Sequence, residues 1–317
     1  MSRVAAIDCG TNSIRLLIAD LTVRDDGSAW LRDVHREMRV VRLGQGVDAT
    51  GKLAPEALER TRAALVDYQI TAVRKGVQQA RMVATSATRD ASNRDEFFAM
   101  TRDVLGVEAE VISGEEEATL SFTGAVGEQE PRRGPFVVVD VGGGSTELVL
   151  GTWNGTTADI RATKSVNIGC VRLTERCLAG DPPTAREIAA AVEVTMDTLT
   201  PAFDAVDVRE ARTFIGVAGT VTTLSAVNQG LTEYDPERTH LSTMSLTEIR
   251  RTTARLLELP RAQRAEIQVI HPGRVDVIGG GALIVRTVAE QLAVRAGLTE
   301  MVVSEHDILD GIALSLA

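Results

Sequence analysis

A chain of 317 residues, 44% hydrophobic and 25% charged, has the make-up of an ordinary globular protein and length enough for two domains with sizeable cores. Its formal charge of −10, with only two Trp and two Tyr, opposes the basic surface and stacking aromatics on which nucleic-acid binding rests. No stretch approaches about 18 uncharged apolar residues, and Asp8 interrupts the first apolar run, so neither a membrane span nor a secretory leader is expected and the chain reads as cytoplasmic.

In chain order, apolar runs predict strands at 4–7, 16–19, 82–84 and 107–112, and helical periodicity predicts helices over 55–76 and 93–105. The charged, Pro- and Gly-containing segment 127–134 has the composition of a linker and directly precedes the strongest apolar run, 136–139. It predicts a division into residues 1–126 and 127–303, with a helix at about 304–317 packing back on the first part. Further strands are expected at 158–167, 213–217 and 301–303, and helices at 183–203, 246–259 and 275–292. The alternation is that of an α/β fold. Three cysteines, Cys9, Cys170 and Cys177, are odd in number and lack metal or redox spacing, as reduced packing thiols would.

An internal repeat organises the chain. Ala6-Ile7-Asp8-Cys9-Gly10-Thr11-Asn12-Ser13 recurs 132 positions later as Val138-Val139-Asp140-Val141-Gly142-Gly143-Gly144-Ser145, and a second apolar strand follows each copy. Each half therefore begins with a β-hairpin that carries Asp at the end of its first strand and small residues in its turn, the composition that lets backbone N–H groups approach phosphate oxygens. No Gly-Lys-Ser/Thr follows either turn, which excludes a P-loop, and Glu147 stands where the third glycine of a dinucleotide fingerprint belongs. The turn Gly216-Val217-Ala218-Gly219-Thr220 leads from a strand into a helix and is a candidate anion site, whereas Gly279-Gly280-Gly281-Ala282 reads as close helix packing.

These segments, with Ala84-Thr85-Ser86-Ala87-Thr88-Arg89, Ile112-Ser113-Gly114-Glu115-Glu116-Glu117-Ala118 and Gly169-Cys170-Val171-Arg172, resemble the exopolyphosphatase and guanosine pentaphosphate phosphohydrolase family of the actin, sugar kinase and Hsp70 ATPase superfamily. The resemblance spans essentially the whole chain. It implies two actin-like (ribonuclease H-like) domains flanking a cleft, and removal of terminal phosphate by water. By position it implies Glu117 as general base, Arg89 as a substrate-binding arginine, and Asp8, Thr11, Asn12 and Ser13 as the first phosphate motif. Asp140, Gly142, Gly143, Gly144, Ser145 and Glu147 match the second phosphate and metal motif, and Gly219 and Thr220 the third turn. Two departures stand out: the appended C-terminal domains of longer members are absent from this sequence, and Ile308-Leu309-Asp310-Gly311 stands where the family carries Leu-Arg-Glu-Gly. The contribution of that arginine is expected to be missing or supplied elsewhere.

The residue chemistry agrees with phosphoanhydride hydrolysis, which needs placed water, a base and cations around oxygens that gain charge. Ser113 and Glu116 match a capping box and Glu115 a solvated partner of the helix dipole, leaving Glu117 free for catalysis. Asp8 and Asp140, ending apolar strands, need a metal, water or backbone donor, and Mg²⁺ (or Mn²⁺) suits such carboxylates, with Glu147 as the third metal residue that the resemblance implies. His35, His240, His271 and His306 are widely separated and do not suggest zinc. Arg15 and Arg172 are weaker anion-site candidates than Arg89. The expected substrates are polyphosphate or guanosine pentaphosphate, with a homodimer left open and no nucleic-acid or membrane partner. A small-molecule kinase of the same superfamily and a nucleotide-dependent assembly or sensor module are the alternatives.

Overall fold

The computed structural model describes residues 2–317, which form two sheets built on one plan. In the first, β1 (Ser2–Cys9) and β2 (Ser13–Val23) make a hairpin to which β3 (Ala29–Val40) adds antiparallel. α1 (Val47–Thr50) and α2 (Pro55–Lys75) lead to β4 (Gln79–Ala84), parallel to β1; α3 (Ser86–Asp90), α4 (Arg94–Leu105) and β5 (Glu110–Val111) follow. After α5 (Gly114–Val126) the plan repeats: the hairpin β6 (Phe136–Val141) and β7 (Thr146–Trp153), then β8 (Ala158–Val166), α6 (Cys170–Cys177), α7 (Ala185–Ala205), and β9 (Thr213–Val217) parallel to β6. The chain closes with α8 (Ala218–Asn228), α9 (Pro236–Thr239), β10 (Thr243–Ser245), α10 (Leu246–Glu258), α11 (Arg261–Ala265), α12 (Ile278–Ala296), β11 (Glu300–Val303) and α13 (Ile308–Leu314).

The first sheet runs β3-β2-β1-β4-β5 and the second β10-β11-β9-β6-β7-β8. With the extra edge strand β10 set aside, the two orders coincide, each an antiparallel three-stranded meander joined to parallel strands. This is the ribonuclease H-like arrangement, and the fold is α/β with two actin-like domains. Among the described residues no helix is long and apolar enough to cross a membrane.

Local chemistry explains the elements that were legible. α2 starts with Pro55 in its first turn and ends on Gly76 in the left-handed region, as α4 ends on Gly106. Thr184 and Glu187 close a full capping box at the start of α7. The edge strand β3 was not expected, because Arg32, Asp33, His35, Arg36 and Glu37 break any apolar alternation; its pairing to β2 holds it instead. The strand expected at 107–112 shrinks to two residues.

Two helices lie between the sheets. Ala118, Phe122, Ala125 and Val126 of α5 pack with Phe136, Val138, Val149 and Ile215 of the second sheet, although α5 precedes the crossover. Leu120, on another face of α5, joins Ile308, Leu309 and Ile312 of α13 over Val4, Ala6 and Leu17 of the first sheet. Glycine is required where the two helices meet: a Cβ on Gly124 would overlap the Asp307 carbonyl, and one on Gly311 the Leu120 carbonyl. Elsewhere, Arg172 of α6 ion-pairs with Asp48 and Asp90 of the first half, Arg176 with Asp48 (2.5 Å) and Arg42 with Asp276 (2.9 Å).

Gly124→Ala should therefore destabilise the chain by about 1–3 kcal/mol, the usual cost of overpacking. Urea unfolding measures it, and an unchanged midpoint would show that the α5–α13 contact is looser than the backbone geometry requires.

Candidate active site

The matched hairpins bring their aspartates to equivalent places. Asp8 lies opposite Arg15 in the β1–β2 register and Asp140 opposite Glu147 in the β6–β7 register, so the 132-residue offset carries Arg15 onto Glu147. Each turn closes with the same backbone bond, Gly10 N–H to Ser13 O (3.0 Å) and Gly142 N–H to Ser145 O (3.1 Å). The glycine run has a packing reason beside its phosphate-binding one. A Cβ on Gly143 would stand 2.8 Å from Thr11 Cβ, one on Gly144 2.6 Å from Ser86 Oγ, and the Cys170 and Val171 amides at the start of α6 donate to the Gly142 and Gly143 carbonyls (2.9 Å each).

α5 delivers Glu117. Ser113 Oγ caps the helix by accepting from the Glu116 amide (3.1 Å), but the expected capping box does not close, because the Glu116 carboxylate turns outward to Arg81 (2.7 Å). Glu115 is exposed, whereas Glu117 points inward and is 8% exposed. Arg89, at the end of α3, donates to Glu117 Oε2 (2.7 Å) and to the Ile112 carbonyl (3.0 Å). It holds the carboxylate from outside the cavity lining.

Asp8, Glu117, Asp140 and Glu147 are all buried. Burial, chiefly, pushes Glu117 up to about 6 against the pull of Arg89, and Asp140 up to about 7 with help from the Asp307 charge. Burial raises Asp8 against its ion pair with Arg15, and raises Glu147 well above the usual range with help from Glu117 and Asp140. Ser121 donates to Asp140 Oδ2 (2.6 Å) and Ser165 to Glu147 Oε1 (2.7 Å), while Asp8 Oδ1 and Glu147 Oε2 are buried with no hydrogen-bond partner. Buried carboxylate oxygens without partners have the donor chemistry for a hard divalent cation of the Mg²⁺ or Mn²⁺ kind, although no three of the four carboxylates bring ligand atoms within 4.8 Å of one another.

The third turn enters from β9 into α8. Ala218, at φ +70°, is a non-glycine residue in the left-handed region, strain of the order of 1–3 kcal/mol that tends to be kept at working sites. A cavity of about 80 Å³, room for a terminal phosphate with water, is lined by Asp8, Thr11, Asn12, Ser13, Glu117, Asp140, Gly142, Gly143, Gly144, Ser145, Gly219 and Thr220. Of the site residues expected from sequence, only Arg89 and Glu147 stand outside that lining.

Two arginines in the lining were undervalued or missed. Arg15 donates to Asp8 Oδ2 (2.6 and 3.0 Å) and pairs with Asp307, a legible position had the repeat been extended to its seventh following residue. Arg274 gave no sequence signal. Its guanidinium lies over Gly219, donating to that carbonyl (2.9 Å), and no carboxylate among the described residues pairs with it; burial lowers its pKa. A larger cavity of about 440 Å³ shares Arg15, Ala218, Gly219 and Arg274 with the first. Leu309, from the segment that departs from Leu-Arg-Glu-Gly, lines it beside Arg36, whose guanidinium is taken up by Asp310 (2.6 Å) and Asp33 (2.9 Å).

Two actin-like domains meeting at a carboxylate-rich, phosphate-sized cavity define a class of phosphate-handling proteins. A model of the Ppx/GppA phosphatase family matches residues 22–316, and the chain belongs to this family. It is 56% identical to exopolyphosphatase 2 of Mycobacterium tuberculosis, over 100% of this chain and 99% of that protein. Among solved structures, an exopolyphosphatase-like protein superposes with a TM-score of 0.93 at 44% identity, covering 100% of this chain and 98% of the other. The Ppx/GppA family member of Aquifex aeolicus does so with a TM-score of 0.79 at 31% identity, covering 99% and 97%.

A carboxyl whose pKa is raised by folding binds more protons folded than unfolded, so without a cation stability should fall as pH rises from about 4 through 7, the window set by Glu117 and Asp140. Mg²⁺ should accordingly raise the melting temperature more at pH 8 than at pH 5.5, and Asp140→Asn should melt higher than the parent without metal while losing most of the gain. Equal Mg²⁺ effects at both pH values would show that these carboxylates do not share the cation.

Proposed function

We propose that the chain is an exopolyphosphatase that releases terminal phosphate from inorganic polyphosphate, with guanosine pentaphosphate as the second substrate to be tested beside it. The full-length similarity to exopolyphosphatase 2 supports the polymer substrate. The observation that carries the chemistry is Glu117, a buried carboxylate in the cavity wall with a pKa near 6, held by Arg89. Residues 1–126 with 304–317 and residues 127–303 serve as the two lobes that enclose the polymer end.

In this reading the terminal phosphate lies between the hairpins, its oxygens facing the turns Thr11 to Ser13 and Gly142 to Ser145, the start of α8 at Gly219 and Thr220, and the Arg274 guanidinium. Glu117 takes a proton from the attacking water as the new P–O bond forms and the anhydride P–O bond breaks. The shortened chain leaves with the negative charge it acquires, which Arg274, lacking a carboxylate partner, is suited to meet. Asp8, Asp140 and Glu147 would hold Mg²⁺, or Mn²⁺, which when bound neutralises phosphate oxygens. Arg89 acts here as the partner that orients Glu117, a deeper placement than a first contact with substrate.

Glu117→Gln should lower kcat on polyphosphate by about two to four decades with the fold retained, the span typical of a lost general base. Because the base must be ionised, kcat of the parent should rise with pH to a plateau, with its inflection at about 6 or, in saturating metal, below it. Near-parent turnover by a folded Gln variant removes Glu117 from the reaction. Arg274→Met should reduce kcat/KM by about 10- to 100-fold, as expected for a charge-assisted contact to phosphate. Phosphate release measured side by side from polyphosphate and guanosine pentaphosphate, without any acceptor, decides the substrate and separates hydrolysis from kinase chemistry.

A further inference from the structure

Outside the lining of both cavities, three potential metal ligands converge, two of them where the chain passes between its halves. Glu128 lies just past α5, His306 just before α13, and His240 just after α9. One donor atom from each falls within 4.8 Å of the others. His240 Nε2 and Glu128 Oε2 are 2.7 Å apart, and the two imidazole rings lie nearly parallel (21°) with centroids 4.7 Å apart. His306 Nδ1 faces Asp310 Oδ1 at 3.5 Å, the carboxylate contact that commonly orients a ligating imidazole and leaves Nε2 for the ion. We propose that Glu128, His240 and His306 form a second metal site, distinct from the carboxylate cluster of the cleft, that takes a borderline divalent transition metal such as Zn²⁺ or Co²⁺.

Ligand chemistry separates the two sites. Two imidazole nitrogens and one carboxylate favour Zn²⁺ and its neighbours over Mg²⁺, which prefers all-oxygen surroundings. Three protein ligands leave a fourth position for water. Bonds of about 2.0–2.1 Å in a tetrahedron place donors roughly 3.3 Å apart, so loading draws the ligands in and turns one ring until both planes contain the ion. The side chains allow this, since Glu128 is 52% and His306 33% exposed. His240 Nδ1 accepts the Glu305 amide (3.2 Å), which places the ring hydrogen on Nε2, facing Glu128. On loading, that proton moves to Nδ1 through solvent, the Nε2 lone pair binds the ion, and the Glu305 amide passes to water at this partly open edge. A metal here ties the exit of α5, whose first turn carries Glu117, to the entry of α13, whose cap Asp307 pairs with Arg15. The role is that of a staple across both passages of the chain.

The test titrates the full-length, tag-free protein with Co²⁺ in excess Mg²⁺, following visible absorption and the melting temperature. One equivalent should bind with a nitrogen-ligated spectrum and raise the melting temperature, and Zn²⁺ should displace it. His240→Ala, His306→Ala and Glu128→Gln, checked for folding by circular dichroism, should each weaken binding by about tenfold or more. Asp140→Asn should leave the spectrum intact. Binding that survives in a folded His240→Ala or Glu128→Gln variant, that disappears in Asp140→Asn, or that never exceeds competition by Mg²⁺ overturns the site.

Discussion

Four carboxylates that cannot comfortably be charged together set the terms for this protein. Asp8, Glu117, Asp140 and Glu147 are buried, and each of the four folded-state pKa values is raised. In a medium of low dielectric such repulsion is weakly screened. Arg15 pairs with Asp8 and Arg89 with Glu117, whereas Asp140 and Glu147 make no ion pair and are held by hydroxyl donors, Ser121 on Asp140 and Ser165 on Glu147. The residual negative charge favours a cation and leaves Glu117 and Asp140 titrating near neutrality, at about 6 and about 7.

A cluster this costly survives because the elements around it are rigid. The first strand of each hairpin is buried almost throughout, and Glu117 comes from the first turn of a helix packed on both its sides. The helix pair α5 and α13, drawn together at Gly124 and Gly311, connects the two halves of the site: one carries Glu117, and the cap of the other holds Arg15. The C-terminal segment is thus part of the cleft's support. Arg172 adds a tie of another kind, since it donates to the Gly144 carbonyl of the second hairpin while pairing with Asp48 and Asp90 of the first half.

The departure from Leu-Arg-Glu-Gly also finds its place in this scheme. Leu309 contributes apolar surface to the larger cavity, and Asp310 is bound by Arg36 from the edge strand β3. Arg36 thus reaches the same neighbourhood as the altered segment but spends its charge on two carboxylates. Arg274, beside the α8 start, makes no ion pair among the described residues and spends its guanidinium on the Gly219 carbonyl.

By itself the sequence determined the class, the two hairpins and most of the cavity wall, because these are local: an aspartate ending an apolar strand, small residues in the turn, and a repeat 132 positions apart that places both copies in register. It also marked Glu117, by its family position and by assigning Ser113 and Glu116 to the helix start; Ser113 caps the helix as expected, whereas Glu116 turns to Arg81. It did not show β3, whose charged residues are held by pairing along an edge, nor Arg274, which reaches Gly219 from 55 residues away. Whether an arginine binds substrate or a neighbour was equally beyond it. Arg15, Arg89, Arg172 and Arg274 are chemically alike, and only the folded chain decides which has a carboxylate within reach and which faces the cleft without one.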